Sequence, residues 1–339
     1  MKSTIKEVAS YANVSQATVS RVINKKGYVS ESVRKRVLDA VQELDYTPSL
    51  MASSLSKSKV NIIGVIVPDI CNSFFSQIFY AAGKVAEENG YRVILYNTDD
   101  NIEMETMALH DMISYKVSGI IMTPVSDKDT TNAPLINQIK ESGIAVVFVD
   151  REMNGIDCDG VYIENIRISH EAVTLLLEEG HRDIAIVAGP LDTIPGRERM
   201  MGYTTAMKDW GLKLRNEYLL DGDFKTEKSY QKVKELLQSE NPPTAIFSCN
   251  NLMTLGCLHA IRESNRKIPD DIALIGFDEI ELLDILGFEI TVISRAIREM
   301  GSTAMNILLN RITKDESIAY QRVVLKSQIK LHGSEKKIK

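Results

Sequence analysis

Apolar positions follow two different rhythms along this chain. Over the first 45 residues they return every three to four positions, and after residue 60 they come in short unbroken runs. Ile5, Val8, Ala9 and Ala12 stand at i, i+3, i+4 and i+7 and form one helical stripe. Thr4 and Glu7, three apart at its start, have the spacing of a capping box. After the turn Ala12-Asn13-Val14, Ser15 caps a second helix whose inner face is Val19, Val22 and Ile23. Ser30 caps a third, striped by Val33, Val37, Ala40, Val41 and Leu44, which closes a core over the first two. Pro48 biases the residue before it away from helix and ends the unit near Tyr46. The pattern predicts an all-α unit over residues 1–47 with Gln16, Ala17, Ser20, Arg21 and Asn24 left outward on its second helix.

Residues 48–60 are small and polar with a few apolar members, too short a stretch to hold a helix against its nucleation cost alone. From Val60 onward, strands alternate with helices. Ile62–Val67 is a near-continuous apolar run, as in a strand covered on both faces. Further strands are predicted at 92–96, 119–123, 145–149, 184–187, 245–247 and 273–275, with helices between them. Repeated β-α-β units imply parallel sheets, and two such sets imply two doubly wound lobes facing each other across a cleft. In open sheets of this kind a ligand lies beyond the carboxyl ends of the strands. A last helix, about 298–311, runs into strands near 323–325 and 328–331, a return that lets the chain cross between lobes. The expected body spans 61–335, with one lobe made of about 61–161 and 292–320 and the other of 162–291 and 321–335.

Charge changes this picture at one end. Residues 1–59 hold ten Lys and Arg against five Asp and Glu, and the remaining 280 hold 30 against 41, which together give the net charge of −6. A basic head on an acidic body fits a head that approaches a polyanion. The four cysteines lack metal or disulfide spacing and are expected as free thiols. No run reaches the length of a membrane span and no export leader precedes the first helix, so a cytoplasmic protein without a membrane partner is expected.

Two short helices joined by a tight turn, the second polar outward, are the helix-turn-helix arrangement, in which Gln suits adenine, Arg suits guanine and Ala can touch a thymine methyl. The stretch TIKEVASYANVSQATVSRVIN resembles the DNA-binding headpiece of the lactose-repressor (LacI-type) family, whose pattern T-I-x-x-V-A-x-x-A-x-V-S-x-x-T-V-S-R-V-I-N it follows almost without departure. The resemblance implies Thr4, Ser15, Gln16, Ala17, Thr18, Ser20, Arg21 and Asn24 as DNA-contacting residues. It also implies a hinge helix over 48–60 that orders on operator DNA and pushes Leu55, with Ala52 beside it, into the minor groove. Ser53 stands where the family commonly carries an arginine.

The resemblance continues through the body, which is similar to ribose-type periplasmic binding proteins. It implies a carbohydrate effector held by Asn72, Phe74, Phe75, Asp150, Arg151, Arg197, Asn250, Asp278 and Arg295. Aromatic rings can stack on the C–H face of a sugar while Asp, Asn and Arg bond its hydroxyls. Two departures bear on the ligand: Asn250-Asn251 replaces a common Asn-Asp, and Arg295 replaces a common glutamine. Three arginines facing two acids fit an acidic effector such as a keto-deoxy sugar acid, with a sugar phosphate or a neutral sugar such as ribose as alternatives. Arg295 could equally pair with an acid of the protein itself.

The expected function is a ligand-gated transcription regulator, most simply a repressor, that binds palindromic operator DNA as a homodimer and needs no cofactor. A periplasmic-type binding protein without a transcriptional role would share the body but not the head. An α/β enzyme is disfavoured because no G-x-G-x-x-G, Walker loop or G-x-S-x-G turn occurs and the five histidines follow no metal or triad spacing.

Overall fold

The computed structural model describes residues 3–23, 27–46, 61–313 and 319–337. Asn24 and the expected hinge segment with Ala52 and Leu55 lie outside the described residues. The chain divides into two compact units, residues 1–60 and 61–339.

In the first unit, α1 (Ile5–Tyr11), α2 (Gln16–Ile23) and α3 (Glu31–Glu43) pack around Val8, Ala9, Ala12, Val19, Val22, Val37 and Ala40. The predicted capping box is present: Thr4 N donates to Glu7 Oε2 at 2.6 Å and Glu7 N donates to Thr4 Oγ1 at 3.3 Å. Asn13 turns the chain between α1 and α2 with φ 53°, a left-handed conformation that Asn tolerates better than most residues. Ser15 Oγ accepts from Thr18 N at 3.2 Å and so caps α2. Ser30 precedes α3 but does not cap it through its side chain; its hydroxyl lies 3.3 Å from that of Ser32 instead.

The second unit contains two six-stranded sheets. Beside β1 (Ile62–Val67), β2 (Arg92–Asn97), β3 (Gly119–Met122) and β4 (Ala145–Val149), the first sheet holds β5 (Asp159–Ile163) and β11 (Arg322–Leu325), in the order β11-β5-β4-β3-β1-β2. The second holds β6 (Ile184–Ala188), β7 (Leu219–Asp221), β8 (Ala245–Ser248), β9 (Ala273–Phe277), β10 (Thr291–Arg295) and β12 (Ser327–Lys330), in the order β12-β10-β9-β8-β6-β7. Alternation along the first strand explains its burial. Ile63, Val65 and Val67 face one core and Ile66 faces the other, so both sides are covered.

Two expected lobe boundaries are corrected. Strand β10 pairs with β9 and belongs to the second lobe, whereas β11 pairs with β5 and belongs to the first. The chain therefore crosses between lobes after β5, after β10 and between β11 and β12, where only Lys326 separates the strands. This last crossing also accounts for the one antiparallel pair among the described residues, β10 with β12. Because the carboxyl ends of both strand sets face the cleft, a strand that leaves the first lobe straight ahead enters the second against its neighbours.

The helices of the first lobe are α4 (Ser73–Glu88), α5 (Ile102–Ser114), α6 (Ala133–Glu141) and α12 (Ile297–Thr313). Those of the second are α7 (Asn165–Glu178), α8 (Ile194–Asp209), α9 (Thr226–Leu237), α10 (Asn251–Glu263) and the short α11 (Glu281–Ile285). The closest helix pairs meet at glycines. A Cβ at Gly301 of α12 would lie 2.4 Å from the Ile78 carbonyl oxygen of α4, and one at Gly202 of α8 would lie 2.5 Å from that of Ile166 in α7.

Candidate effector cleft and nucleic-acid interface

In the first unit, local bonding divides the expected DNA-contacting residues into two groups. Thr4 and Ser15 use their side chains as helix caps, and the Thr18 hydroxyl lies 2.9 Å from that of Ser15. Gln16, Ala17 and Arg21 are exposed on α2, and Ser20 is half-buried between them. What α2 presents outward is an amide, a methyl and a guanidinium, the chemistry that reads base edges in a major groove.

In the second unit, the cleft is built from strand ends. Asp150 follows β4 with φ 65° and Asp278 follows β9 with φ 69°. Both aspartates are thus left-handed, a conformation seldom adopted without a functional or structural demand. Both turn their carboxylates to Arg295 at the end of β10. Arg295 Nε donates to Asp278 Oδ1 at 2.5 Å, Nη2 to Asp278 Oδ2, and Nη1 to Asp150 Oδ1 at 2.9 Å. The guanidinium lies 3.7 Å from the centre of the Phe74 ring, and Phe74 meets Phe75 edge-on at 4.8 Å. Burial alone would lower the Arg295 pKa, but the two carboxylates outweigh it and hold it above the ordinary value.

Arg151 is likewise neutralised, donating from Nη1 to Asp100 Oδ1 at 2.6 Å and to the Val125 carbonyl at 2.9 Å. Asn72 and Asn250 are the N-caps of α4 and α10, accepting from Phe74 N at 3.0 Å and Met253 N at 2.7 Å. Asn250 also donates to the Phe224 carbonyl at 3.3 Å. Eight of the nine expected effector residues line one cavity: Asn72, Phe74, Phe75, Asp150, Arg151, Asn250, Asp278 and Arg295. Its volume is about 30 Å³, room for about two water molecules.

Arg197 is the exception. It sits outside the cavity and pairs with Asp127, Nη2 to Oδ2 at 2.7 Å. The guanidinium in the wall is that of Arg199, two residues on. Buried, it donates from Nε to Asn165 Oδ1 at 2.9 Å and from Nη1 to the Cys249 carbonyl at 2.5 Å, and lies 3.8 Å from the centre of the Phe277 ring. No carboxylate bonds to it among the described residues. Burial, and then repulsion from Arg295, push its pKa down to about 10.

The helical period carried the signal that separates these two arginines. Pro195, Gly196, Arg199, Gly202, Tyr203 and Ala206 form the buried stripe of α8, and Arg197 is not on it. Asp69, Asp100, Phe224, Lys225 and Leu252 also line the cavity and were not anticipated. Asp69 and Asp100 follow the ends of β1 and β2, where the rule that ligands lie beyond strand ends would have pointed.

A three-helix DNA-reading unit joined to a two-lobed α/β body with a polar, aromatic-lined cleft defines a ligand-responsive DNA-binding protein. Comparison with known proteins is consistent with this over nearly the whole length. Residues 4–49 match the family of bacterial regulatory proteins, lacI family, and residues 60–335 match the periplasmic binding proteins and sugar binding domain of LacI family. The chain is 32% identical over 322 residues to catabolite control protein A of Priestia megaterium, covering 94% of this chain and 96% of that protein. It is 31% identical over 331 residues to the ribose operon repressor of Escherichia coli, covering 98% and 99%. Among solved structures it is similar to a lac repressor dimer bound to operator and an anti-inducer (25% identity, TM-score 0.83, 99% of this chain and 100% of that one). It is also similar to a CelR–cellobiose complex (28% identity, TM-score 0.72, 98% and 100%).

The chain belongs to the LacI family. It is accordingly a DNA-binding transcriptional repressor with a sugar-type effector domain and not an enzyme. No helix among the described residues is long and apolar enough to cross a membrane.

Proposed function

We propose that this chain represses carbohydrate or sugar-acid catabolic genes from a palindromic operator in the cytoplasm, at the nucleoid, and that a small acidic sugar in the cleft sets its operator affinity. The observation that carries the ligand class is Arg199. A guanidinium buried in the cavity wall without a carboxylate partner is a ready counter-charge for a carboxylate or phosphate on the ligand. The excess charge first read from Arg151, Arg197 and Arg295 does not contribute, since each already bonds an aspartate. That pairing is also what favours the second reading, a neutral sugar such as ribose held by the same aspartates and asparagines.

Calorimetry against keto-deoxy sugar acids, sugar phosphates and neutral pentoses and hexoses separates the two. Binding restricted to neutral sugars ends the acidic reading. By linkage, whichever ligand binds must shift operator affinity by the same factor as operator shifts its own. A dimer is the species that fits a two-fold operator. Leu282, Ile285, Leu286 and Phe288, on and just after α11, are each more than half exposed and supply an apolar face for it. Loss of salt-sensitive, palindrome-selective DNA retention in the purified protein would remove the whole assignment.

A further inference from the structure

Besides the Arg295–Asp150 ion pair within the cavity wall, two sets of polar contacts join the lobes at its rims. At one rim the amide nitrogen of Asn251 donates to Asn72 Oδ1 and to Ser73 Oγ, both at 2.9 Å. At the other, Arg197 grips Asp127 through Nη1 at 3.3 Å and Nη2 at 2.7 Å. There too the Ser126 hydroxyl donates to the Asp192 carbonyl at 3.0 Å and Lys128 Nζ donates to that of Leu191 at 3.4 Å. Asn251, Asp127 and Arg197 are not among the residues that line the cavity.

We propose that these contacts are two clasps that hold the lobes shut by bonds within the protein, and that their strength sets how readily the cleft opens to admit its effector. The inference rests on reading the cleft as the effector site, but on no particular ligand.

Three observations support it. First, Asp127 is buried, with its side chain 3% exposed, and Arg197 is its one ionic partner among the described residues. Without that guanidinium the carboxylate would be buried and unpaired, and parting the lobes is the direct way to return it to water. Second, Asn251 is oriented for donation across the cleft. Its Oδ1 accepts from Leu252 N at 2.9 Å, which aims the NH2 group at Asn72. Asn72 Oδ1 already accepts from Phe74 N, so only a donor fits opposite it, and a carboxylate at position 251 would be repelled. Third, a cavity of about 30 Å³ is smaller than a sugar ring, so the lobes must separate before a ligand can enter.

The test measures lobe separation in the full chain, with neither ligand nor DNA present. Spin labels are placed at Glu141→Cys in the first lobe and Lys208→Cys in the second, with exposed Cys71 changed to Ser. Half-buried Cys158 is likewise changed to Ser, and Cys249 and Cys257 are buried and remain unlabelled. The parent should give one narrow distance distribution. Asn251→Asp and Arg197→Ala should each add a population shifted by more than about 2 Å, and the double variant should shift further. An unchanged distribution in a cooperatively melting double variant overturns the proposal. If the double variant does not fold, Arg197→Ala alone carries the test, and a parent-like distribution there overturns it. Because the readout involves neither operator nor sugar, its failure leaves the assigned function standing, and failure of DNA binding leaves the clasps standing.

Discussion

Two walls of the same cleft hold a buried arginine in opposite ways. Arg295, in the wall formed by β9 and β10, carries two aspartates of its own, one from each lobe. Arg199, on α8, is bonded only through an asparagine oxygen and a backbone carbonyl. The first site is electrically complete and the second is not. A buried arginine is therefore evidence for an anionic ligand only once its existing partners are known, and the fold alone supplies those partners.

The difference predicts unequal effects on removal. Arg295→Met should be the most damaging change, because it leaves Asp150 and Asp278 buried without their cation, at a cost of about 3–5 kcal/mol in chemical denaturation. Arg199→Met should change stability by less than about 1 kcal/mol, since losing two hydrogen bonds is offset by no longer burying an unpaired charge. The same variant should lose binding of any acidic effector by calorimetry. If both variants destabilise equally, the contrast between the walls fails.

A smaller effect, confined to acid, is expected away from the cleft. Burial, reinforced by Lys337, lowers the pKa of His181, whose Nδ1 lies 2.9 Å from Thr244 Oγ1. A histidine lowered on folding is fully compatible with the native state above its unfolded value near 6.5 and costs stability as pH falls below it. His181→Gln should flatten that part of the stability–pH profile between about pH 7 and 5. At the far end of the scale, Arg21→Ala should leave the melting temperature unchanged, because the side chain is exposed. It should alter base preference at one operator position by about 1–3 kcal/mol in competition binding. Uniform weakening across all operators would instead make Arg21 a phosphate contact.

These contrasts also show what the sequence could disclose. Element type was legible wherever periodicity was strong, from the capping box at Thr4 to the buried run of β1. The short strands β5, which begins Asp-Gly, and β7, three residues long, lacked enough alternation to announce themselves. Lobe membership of β11 was misread because its pairing with β5, more than a hundred positions away, leaves no local trace; β10 follows its partner β9 closely, and its boundary was placed one crossing too early. Most cavity residues were accessible because they follow strand ends. Arg199 was accessible too, through the apolar face of α8, but motif proximity favoured Arg197. Ser30 holds the expected N-cap position of α3 but without a side-chain cap, since a hydroxyl at a helix start can bond a neighbouring side chain as readily as the backbone.

The three crossings between lobes have a mechanical meaning of their own. Strand β11 lies beside β5 and β12 lies beside β10, so the connection through Lys326 lies next to the ends of both strands from which the other two crossings start. One tether would let the halves twist and wander in any direction. Three abreast act like the spine of a book, leaving a single angle free and making that angle the quantity a bound molecule can set.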